Sequence, residues 1–241
     1  MMRRFGLIGF PLSHSFSPDF FKDKFKRENI DDAVYNLYEL ENLQQVTALK
    51  NIGLSGLNVT VPYKEKIIPF LDELDDSALK IMAVNTIVFD GNKMKGYNTD
   101  MYGFEKSLRT FIGTKKNLKC LILGTGGSSK AVKYVLGNSG INCSTVSRTE
   151  GDYLWEELDE EVLSEHHLII NTTPVGMYPN VNECPSINFD LLTENHFVMD
   201  LIYNPEKTLF LELAFQQGAT IKNGKEMLIF QAEKSWEIWN Q

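Results

Sequence analysis

The sequence lacks the features that mark secreted, membrane-spanning or nucleic-acid-binding proteins. It has only three cysteines, without metal-like spacing, which favours reduced thiols in a cytoplasmic protein over a disulfide framework. It has no long apolar run, so we expect no membrane span. Lysine and arginine number 24 against 32 aspartates and glutamates. The resulting net charge of −8 argues against a nucleic-acid partner, because a phosphate backbone rewards clustered basic side chains.

What the sequence does contain is typical of a globular protein that binds a small molecule. The 241 residues allow one large or two small domains. The basic start, residues 1–9, has no long apolar stretch or cleavage site, so we interpret it as a first strand and not as a signal peptide. No cluster of His, Cys and Asp suggests a metal, and either a monomer or a homodimer is compatible with these properties.

Strand-like and helix-like segments alternate along the chain, which predicts a parallel α/β architecture. The predicted strands are 4–9, 33–38, 57–61, 83–89, 93–97, 118–123, 142–147, 167–171 and 196–200. The predicted helices are one starting at Ser17-Pro18 and the segments 43–51, 100–112, 128–138, 207–217 and 227–239. Asp90-Gly91-Asn92 predicts a hairpin between two of the strands. The alternation restarts at Leu118, and we place a domain boundary near residue 101, before the helix that would join the halves.

A glycine-rich turn lies between the predicted strand 118–123 and the helix that follows it. The segment from Gly124 to Ala131 reads G-T-G-G-S-S-K-A. Glycines let a backbone approach a pyrophosphate closely, and the free N–H groups at a helix start attract its charge. The familiar G-x-G-x-x-G is not met, because Ser129 occupies the third glycine position. The pattern favours a dinucleotide site, and a tight turn without a ligand is the alternative.

The end of the next predicted strand bears on the choice of dinucleotide. Sites that prefer NAD usually place an acid here to hold the ribose 2′-hydroxyl, whereas this strand ends in Ser147-Arg148-Thr149. Arg148 could hold a 2′-phosphate and stack on the adenine, or it could be an ordinary surface arginine. Glu150 and Asp152 follow directly, and we expect their charges to oppose a phosphate. The loop 171–177, after another apolar strand, would lie at the same edge of the sheet.

Polar residues also collect at predicted strand ends in the N-terminal half. Ser13, Ser15 and Ser17 lie between a strand and a helix, where they could bind a hydroxyl or a carboxylate, although Ser17 before Pro18 could also be a helix cap. The segment 58–66, N-V-T-V-P-Y-K-E-K, presents an amide, a hydroxyl and an ammonium together. Asn58 and Thr60 are two residues apart, so a strand would place them on one face.

Three further segments add to this set of hydrogen-bonding groups. The segment 83–87, A-V-N-T-I, supplies a second amide, and 96–100, G-Y-N-T-D, ends in a carboxylate. The last predicted helix adds Gln231. Neutral hydrogen-bonding groups with one lysine and one aspartate suit a small polyhydroxylated ligand. His14 has no G-x-S-x-G nucleophile motif beside it, and we interpret it as structural.

Seven of these stretches together resemble the shikimate dehydrogenase family. They are G-x-P-x-x-H-S-x-S-P, N-V-T-V-P-Y-K, A-V-N-T-I, G-Y-N-T-D, G-x-G-G-x-x-x-A, D-L-I-Y-N-P and G-x-x-M-L-x-x-Q, in the family's order from residue 9 to 231. The resemblance implies an α/β substrate domain, residues 1–101 with 226–241, and a Rossmann-like NADP domain, residues 102–225, with the ligands in a cleft. It also implies reversible reduction of 3-dehydroshikimate to shikimate with NADPH, in aromatic amino-acid biosynthesis.

The same resemblance implies a role for individual residues. Lys64 and Asp100 would be the catalytic pair. The substrate carboxylate would be bound by Ser15, Ser17 and Tyr203, and the ring hydroxyls by Asn58, Thr60, Asn85 and Gln231. The cofactor would contact Gly124, Thr125, Gly126, Gly127, Ser128, Ser147, Arg148, Thr149, Thr172 and Gly224. No metal would take part.

Three departures from the family pattern leave other readings open. Ser147 stands where the family often has Asn, and an acidic segment follows Thr149 where a second arginine is common. Lys130 replaces a common arginine, and Asn171-Thr172-Thr173 replaces a stretch often rich in Ala and Ser. The alternatives are a quinate/shikimate dehydrogenase that uses NAD, a non-catalytic sensor of a dinucleotide or a shikimate-like ligand, and a dehydrogenase for an unrelated small acid.

Overall fold

The computed structural model describes residues 2–13, 15–115 and 117–241 of the chain. They form two compact units. Unit 1 consists of Met1–Thr99 and Ala232–Gln241, and unit 2 consists of Asp100–Gln231. None of the helices in the described part of the chain is long and apolar enough to cross a membrane.

Twelve strands and eight α-helices are present in the described residues. The strands are β1 (Arg3–Gly9), β2 (Ala33–Glu39), β3 (Gly56–Val59), β4 (Glu73–Leu74), β5 (Thr86–Asp90), β6 (Lys93–Tyr97), β7 (Lys119–Leu123), β8 (Asn142–Ser147), β9 (Tyr153–Leu154), β10 (Leu168–Asn171), β11 (Phe197–Asp200) and β12 (Thr220–Lys222). The helices are α1 (Ser17–Arg27), α2 (Val46–Leu49), α3 (Asp76–Ile81), α4 (Asp100–Ile112), α5 (Gly127–Asn138), α6 (Glu160–Glu165), α7 (Leu209–Gln216) and α8 (Lys225–Trp239).

The sheet of unit 1 is mixed, in the order β2-β1-β3-β5-β6-β4. β1 pairs in parallel with both β2 and β3, whereas β5 is antiparallel to β3 and to β6. The hairpin predicted from Asp90-Gly91-Asn92 is confirmed, because Asp90 pairs with Lys93 across its tip. The sheet is thus parallel-rich, with three parallel and two antiparallel pairings, as the predicted α/β fold with a hairpin requires. β5 and β6 are antiparallel because a two-residue turn can only join antiparallel strands.

The end of the chain belongs to the core of unit 1. Trp239 stacks on Phe5 at 4.8 Å between ring centroids, and its Nε1 donates a hydrogen bond to the Ile87 carbonyl at 2.9 Å. Gly56 makes this approach possible, because a Cβ there would lie 2.1 Å from Trp239 Nε1. Buried aromatic side chains of this size dominate the energy of a small core, so the last turns of α8 hold the first strand in place.

The sheet of unit 2 is fully parallel, in the order β12-β11-β10-β7-β8-β9. The chain leaves the centre at β7 in one direction and resumes at β10 in the other, which is the doubly wound arrangement. Successive residues of β7 serve opposite faces: Cys120 and Ile122 pack in one buried cluster, Leu121 and Leu123 in another. A strand covered on both faces reads as a continuous apolar run, which confirms the prediction for this segment.

Two differences from the predicted elements affect the site. β3 ends at Val59, two residues earlier than predicted, and Val61 is 67% exposed. The chain turns here because the Tyr63 N–H donates to the Thr60 carbonyl at 2.9 Å, and Pro62 has no N–H to extend a ladder. The α1 helix begins at Ser17, and Phe16 holds the cap position without a side-chain hydrogen bond, so Ser17 is not the cap.

Candidate functional site

The loop after β1 carries two predicted carboxylate-binding serines. The Ser15 hydroxyl donates to the Leu12 carbonyl at 2.9 Å, which closes a tight turn. Ser17 is buried in the first turn of α1, and its hydroxyl reaches that of Tyr35. Burial raises the pKa of the Tyr35 hydroxyl far above its ordinary value, and the hydrogen bond from Ser17 opposes this shift only in part. His14 lies outside the described residues.

The predicted ligand Asn58 is bonded inside unit 1. Its Oδ1 accepts from the Tyr35 hydroxyl at 2.8 Å. Its Nδ2 lies 2.9 Å from Ser235 Oγ, 3.2 Å from Thr86 Oγ1 and 3.2 Å from the Asn85 carbonyl. The amide is 5% exposed. Both ends of the amide bind protein groups, so the hydrogen bonds of Asn58 hold the neighbouring side chains in place.

Asn85 precedes β5 and is bonded to the end of the next strand. Its Oδ1 accepts from the Thr99 backbone N–H at 2.7 Å, and its Nδ2 donates to Thr99 Oγ1 at 2.9 Å. Ser235 Oγ lies 2.7 Å from Thr86 Oγ1 and 3.1 Å from Thr99 Oγ1. We call the set Tyr35, Asn58, Asn85, Thr86, Thr99 and Ser235 the polar network of unit 1. Its members come from five separate stretches of sequence.

Thr60 and Lys64 follow β3 on the turn described above. The Thr60 N–H donates to the Ile8 carbonyl at 2.9 Å, and a Cβ on Gly9 would lie 2.5 Å from Thr60 Cγ2, so glycine leaves room for the threonine. The Lys64 carbonyl accepts from the Val84 N–H at 2.7 Å, which ties the lysine backbone to the residue before Asn85. The hydroxyl of Tyr63 is buried and donates to the Leu40 carbonyl, so this tyrosine is structural.

The other member of the predicted catalytic pair lies where unit 1 passes into unit 2. Asp100 directly follows Thr99 and is the first residue of α4, where it is 4% exposed. A carboxylate in the first turn of a helix is favoured by the helix dipole. Gln231, on α8, is 8% exposed, and its Nε2 donates to the Leu228 carbonyl at 2.9 Å.

The glycine turn of unit 2 has the conformation that its sequence predicts. Gly124 has a φ of +109°, and a Cβ there would lie 2.8 Å from Thr172 Oγ1. Gly126 occupies the N-cap position of α5 without a side-chain hydrogen bond, and a Cβ there would meet no atom within 4 Å. Thr125 and Gly126 are exposed, and Gly127 and Ser128 open the helix. The turn thus has room for a ligand beside N–H groups that a helix leaves without partners.

The predicted phosphate-binding segment forms a compact turn after β8. Ser147 Oγ accepts from the Thr149 N–H at 3.1 Å and from the Glu150 N–H at 2.7 Å. Arg148 and Thr149 are exposed at the tip of this turn. The Ser147 hydroxyl therefore shapes the turn, and the cation and the hydroxyl beside it remain open to solvent.

Three further predicted site residues follow β10, β11 and β12: the cofactor contacts Thr172 and Gly224, and Tyr203, which was predicted to bind the substrate carboxylate. The Thr172 N–H and Oγ1 both donate to the Leu123 carbonyl, at 2.9 and 2.7 Å. A Cβ on Gly224 would lie 2.0 Å from the Leu201 carbonyl oxygen, so only glycine fits there. Tyr203 is half-buried three residues after β11. These groups lie at the carboxyl edge of a doubly wound sheet, where such sheets bind ligands.

Asp200, at the end of β11, was not predicted to be a site residue. Its carboxylate accepts from Asn171 Nδ2 at 3.1 Å, the Ile202 N–H at 3.0 Å and Thr208 Oγ1 at 2.7 Å. Burial raises the pKa of this carboxyl to about 6, against those three hydrogen bonds. Asn171 Oδ1 in turn accepts from the Thr173 N–H at 3.0 Å. Asp200 thus joins the loops after β10 and β11.

Tyr35 and Ser235 were also missed by the sequence interpretation. No local motif marks either residue, since Asn58 and Ser235 are 177 positions apart. The one available signal was that a serine at position 235 interrupts the aromatic face that Trp236 and Trp239 give to α8. A buried polar residue among aromatics normally has a hydrogen-bond partner.

The fully parallel, doubly wound sheet with its open glycine turn defines unit 2 as a dinucleotide-binding domain of the dehydrogenase class. Unit 1 carries a second α/β sheet with a buried polar network. The family model for the shikimate dehydrogenase substrate binding domain matches residues 7–87, which lie within unit 1.

Comparison with known proteins extends this match over the whole chain. A shikimate dehydrogenase (NADP(+)) of Methanosphaera stadtmanae is 41% identical over 256 residues, covering 97% of this chain and 90% of the relative. A crystal structure of shikimate dehydrogenase 1 from Peptoclostridium difficile superposes with a TM-score of 0.90 and 39% identity, covering 99% and 92% of the two chains. A shikimate dehydrogenase solved in complex with NADP+ gives a TM-score of 0.88 and 35% identity, covering 99% and 90%. The chain belongs to the shikimate dehydrogenase family.

Proposed function

We propose that this protein catalyses the reversible, NADP-dependent reduction of 3-dehydroshikimate to shikimate, a step of aromatic amino-acid biosynthesis. The observation that carries the proposal is the gathering of Asn85, Thr99 and the Lys64 backbone at one end of the sheet in unit 1. A ligand with a carboxylate and several ring hydroxyls requires such neutral donors and acceptors. The family relationship supports the same assignment.

Lys64 and Asp100 are the proposed catalytic pair. When bound, the cofactor supplies or takes up a hydride. In the direction of reduction, negative charge grows on the substrate carbonyl oxygen, and the Lys64 ammonium stabilises that charge and donates the proton. In the reverse direction the Lys64 amine accepts the hydroxyl proton. Asp100 orients the ammonium, as an adjacent carboxylate does for a cation.

The proposed substrate contacts fall into two groups, and two of them, Tyr203 and Gln231, belong to unit 2. Ser15 and Ser17, with Tyr203, bind the carboxylate, and Thr60, Asn85 and Gln231 bind ring hydroxyls. Asn58 was predicted to bind a ring hydroxyl as well. We propose that it does so, with its amide fixed beside Asn85 and Thr86 by the bonds to Tyr35 and Ser235.

The cofactor contacts proposed for unit 2 follow the edge of its sheet. The backbone of Gly124, Thr125, Gly126, Gly127 and Ser128 receives the pyrophosphate, since Gly126 leaves open space and α5 begins beside it. Ser147, Arg148 and Thr149 hold the adenosine end, with Arg148 on the 2′-phosphate. Thr172 and Gly224 bring two further loops toward the cofactor.

Free thiols at all three cysteines support a cytoplasmic location for this reaction. The net charge of −8 supports a proposal without a nucleic-acid partner. The proposed assembly is a monomer or a homodimer, which light scattering of the purified protein distinguishes.

The test is a steady-state assay that follows the absorbance of reduced nicotinamide with shikimate and with quinate, each against NADP and NAD. We expect turnover with shikimate and NADP to exceed the other three combinations by at least about tenfold. Preference for quinate with NAD would replace the proposal by a quinate/shikimate dehydrogenase. Binding of shikimate or NADPH without turnover in any combination would instead indicate a sensor.

A further inference from the structure

The segment after β8 carries two acids, Glu150 and Asp152, whose charges were expected to oppose a 2′-phosphate. In the structure the two acids have different surroundings. The Asp152 carboxylate accepts from the Thr145 N–H and from Thr145 Oγ1, both at 2.8 Å, and the Asp152 N–H donates back to Thr145 Oγ1 at 3.2 Å. We call this reciprocal pair the Thr145–Asp152 clamp.

The clamp keeps the Asp152 carboxylate charged and supplies it with hydrogen-bond donors. Hydrogen bonds from Thr145 are the main reason that the pKa of the Asp152 carboxyl is lowered, and the positive charge of Lys133, on α5, adds to the effect. The carboxylate is thus satisfied by two donors and faces a cation of its own unit. It has no need of Arg148 as a partner, which leaves that guanidinium available to a ligand.

The clamp also fixes where the charge lies along β8. Thr145 is three residues before Arg148, and at about 3.3 Å per residue this places the Asp152 carboxylate on the order of 10 Å down the strand from the tip of the turn. The Debye length in a physiological buffer is about 8 Å. Asp152 therefore exerts little repulsion on an anion at the tip while the clamp holds.

The chain between the two clamp residues has little freedom to relax. A Cβ on Gly151 would lie 2.9 Å from the carbonyl oxygens of Thr145 and Tyr153. β9 pairs with β8 directly after the turn, with Val146 opposite Tyr153. The Ser147 hydroxyl closes the turn from within by accepting two N–H groups. The clamp is thus one of the three contacts that define this turn.

We propose that the Thr145–Asp152 clamp determines cofactor specificity: by holding the acid on the flank of β8, it leaves Arg148 and Thr149 as a site for the 2′-phosphate of NADP. The inference rests on the proposed function and assigns to Thr145 and Asp152 a positioning role toward that cofactor. Without the Thr145 hydroxyl, Asp152 would keep only the Thr145 N–H as a donor and its own N–H would lose its acceptor, so the acid would be held less firmly on the flank of β8.

The experiment compares calorimetric binding of adenosine 2′,5′-bisphosphate with that of adenosine 5′-monophosphate, which lacks the 2′-phosphate. The variants are Thr145→Val, which preserves shape and removes the hydroxyl, Asp152→Asn, and the double variant. We expect Thr145→Val to lower the affinity for the bisphosphate by roughly three- to tenfold. The affinity for the monophosphate should not change, because a released charge acts on the 2′-phosphate alone. The double variant should recover the wild-type ratio, because no charge remains to be released.

Two controls separate charge from shape. Thr145→Ser keeps the hydroxyl and should keep the wild-type ratio, and Thr220→Val, on the exposed edge strand β12, should change neither affinity. If Thr145→Val and the double variant both bound the two ligands more weakly, and by the same factor, the clamp would only maintain the turn. That result would overturn the proposal. An unchanged ratio in Thr145→Val would do the same. A wild-type protein that binds both ligands equally would refute the NADP assignment itself, whereas the other two outcomes leave it intact.

Discussion

The two units end their sheets in different ways. In unit 1 the polar end is made of side chains that bind one another: Asn58, Asn85, Thr86, Thr99 and Ser235 share hydrogen bonds in a region that is at most 5% exposed. In unit 2 the polar end is made of backbone: glycines at 124, 126 and 224 and the turn after Ser147. One end specifies chemistry through side chains and the other through the shape of the main chain.

This difference teaches where each unit is vulnerable. A buried side-chain network loses several partners when one member is removed, because each remaining donor or acceptor keeps its desolvation cost. A backbone site tolerates changes of side chain but not the addition of a Cβ where φ is positive or where another strand approaches. We therefore expect substitutions in the polar network of unit 1 to affect substrate binding, and substitutions in the glycine turn of unit 2 to affect cofactor binding.

The largest effect should come from the proposed catalytic lysine of unit 1. Lys64→Ala should lower kcat by at least about a hundredfold, the contribution usual for a general acid. Binding of NADPH, measured by calorimetry, should remain at the wild-type level, because the cofactor contacts proposed here lie in unit 2. Steady-state kinetics in both directions checks the first expectation.

Lys66→Ala is the matched control, since Lys66 is an exposed lysine two positions away on the same turn. It should leave kcat and the NADPH dissociation constant unchanged. Near-normal turnover in Lys64→Ala would remove this residue from the mechanism. A parallel loss of NADPH binding would contradict the separation of the catalytic lysine in unit 1 from the cofactor contacts in unit 2.

A smaller effect should follow from closing the glycine turn of unit 2. Gly124→Ala places a Cβ 2.8 Å from Thr172 Oγ1 at a φ of +109°. Such backbone strain costs roughly 1–3 kcal/mol, and displacement of the turn should weaken NADPH about tenfold or more. Calorimetric titration with NADPH and a denaturant titration measure the two quantities.

Gly137→Ala supplies the control for this change. Gly137 lies inside α5 with open space around its Cβ position, so alanine there should bind NADPH normally and raise stability by about 0.5–1 kcal/mol. If Gly124→Ala bound NADPH as well as Gly137→Ala does, the shape of the turn would not be what recognises the cofactor.

Local signals in the sequence predicted much of both units. The hairpin from Asp90 to Lys93, the helix Asp100–Ile112 and the strand Asn142–Ser147 have the predicted bounds, because a turn motif or a helix start fixes each one locally. The glycine turn was recognisable for the same reason: its glycines lie between a strand and a helix, and Gly124 has a positive φ that favours glycine.

The rest depends on contacts between distant parts of the chain. Val59-Thr60-Val61 has high strand propensity, yet the strand ends at Val59 because Pro62 and the bond from the Tyr63 N–H to the Thr60 carbonyl override that preference. Ser235 is needed because of Asn58, and Asp152 is retained by Thr145. Neither pairing could be predicted from periodicity, because it requires knowing which side chains the fold brings together.

Ser235→Ala tests whether the polar network of unit 1 acts as one structure. Asn58, Thr86 and Thr99 each lose a partner at 2.7 to 3.1 Å, so we expect a loss of roughly 1–3 kcal/mol in the free energy of unfolding. The KM for shikimate should rise severalfold while NADPH affinity is unchanged. Ser164→Ala, at an exposed serine of α6 whose hydroxyl donates to the Glu161 carbonyl, should stay within about 0.5 kcal/mol of wild type. If Ser235→Ala left the free energy of unfolding unchanged, the members of the polar network would not act as one structure.

Asp200 gives the smallest and most specific test, because here unit 2 also relies on a buried side-chain network. With its folded pKa raised to about 6, above the ordinary value near 4, the folded state holds a proton that the unfolded chain has released. The free energy of unfolding should therefore rise as pH falls through that window. Relative to Asp200→Asn, the wild type should gain about 1 kcal/mol in the free energy of unfolding between about pH 8 and pH 5.

Denaturant titrations across this range measure the difference, with Asp190→Asn, at an exposed carboxylate, as the control. A difference that is flat with pH would show that Asp200 is already charged in the fold, held by Asn171, Ile202 and Thr208 alone.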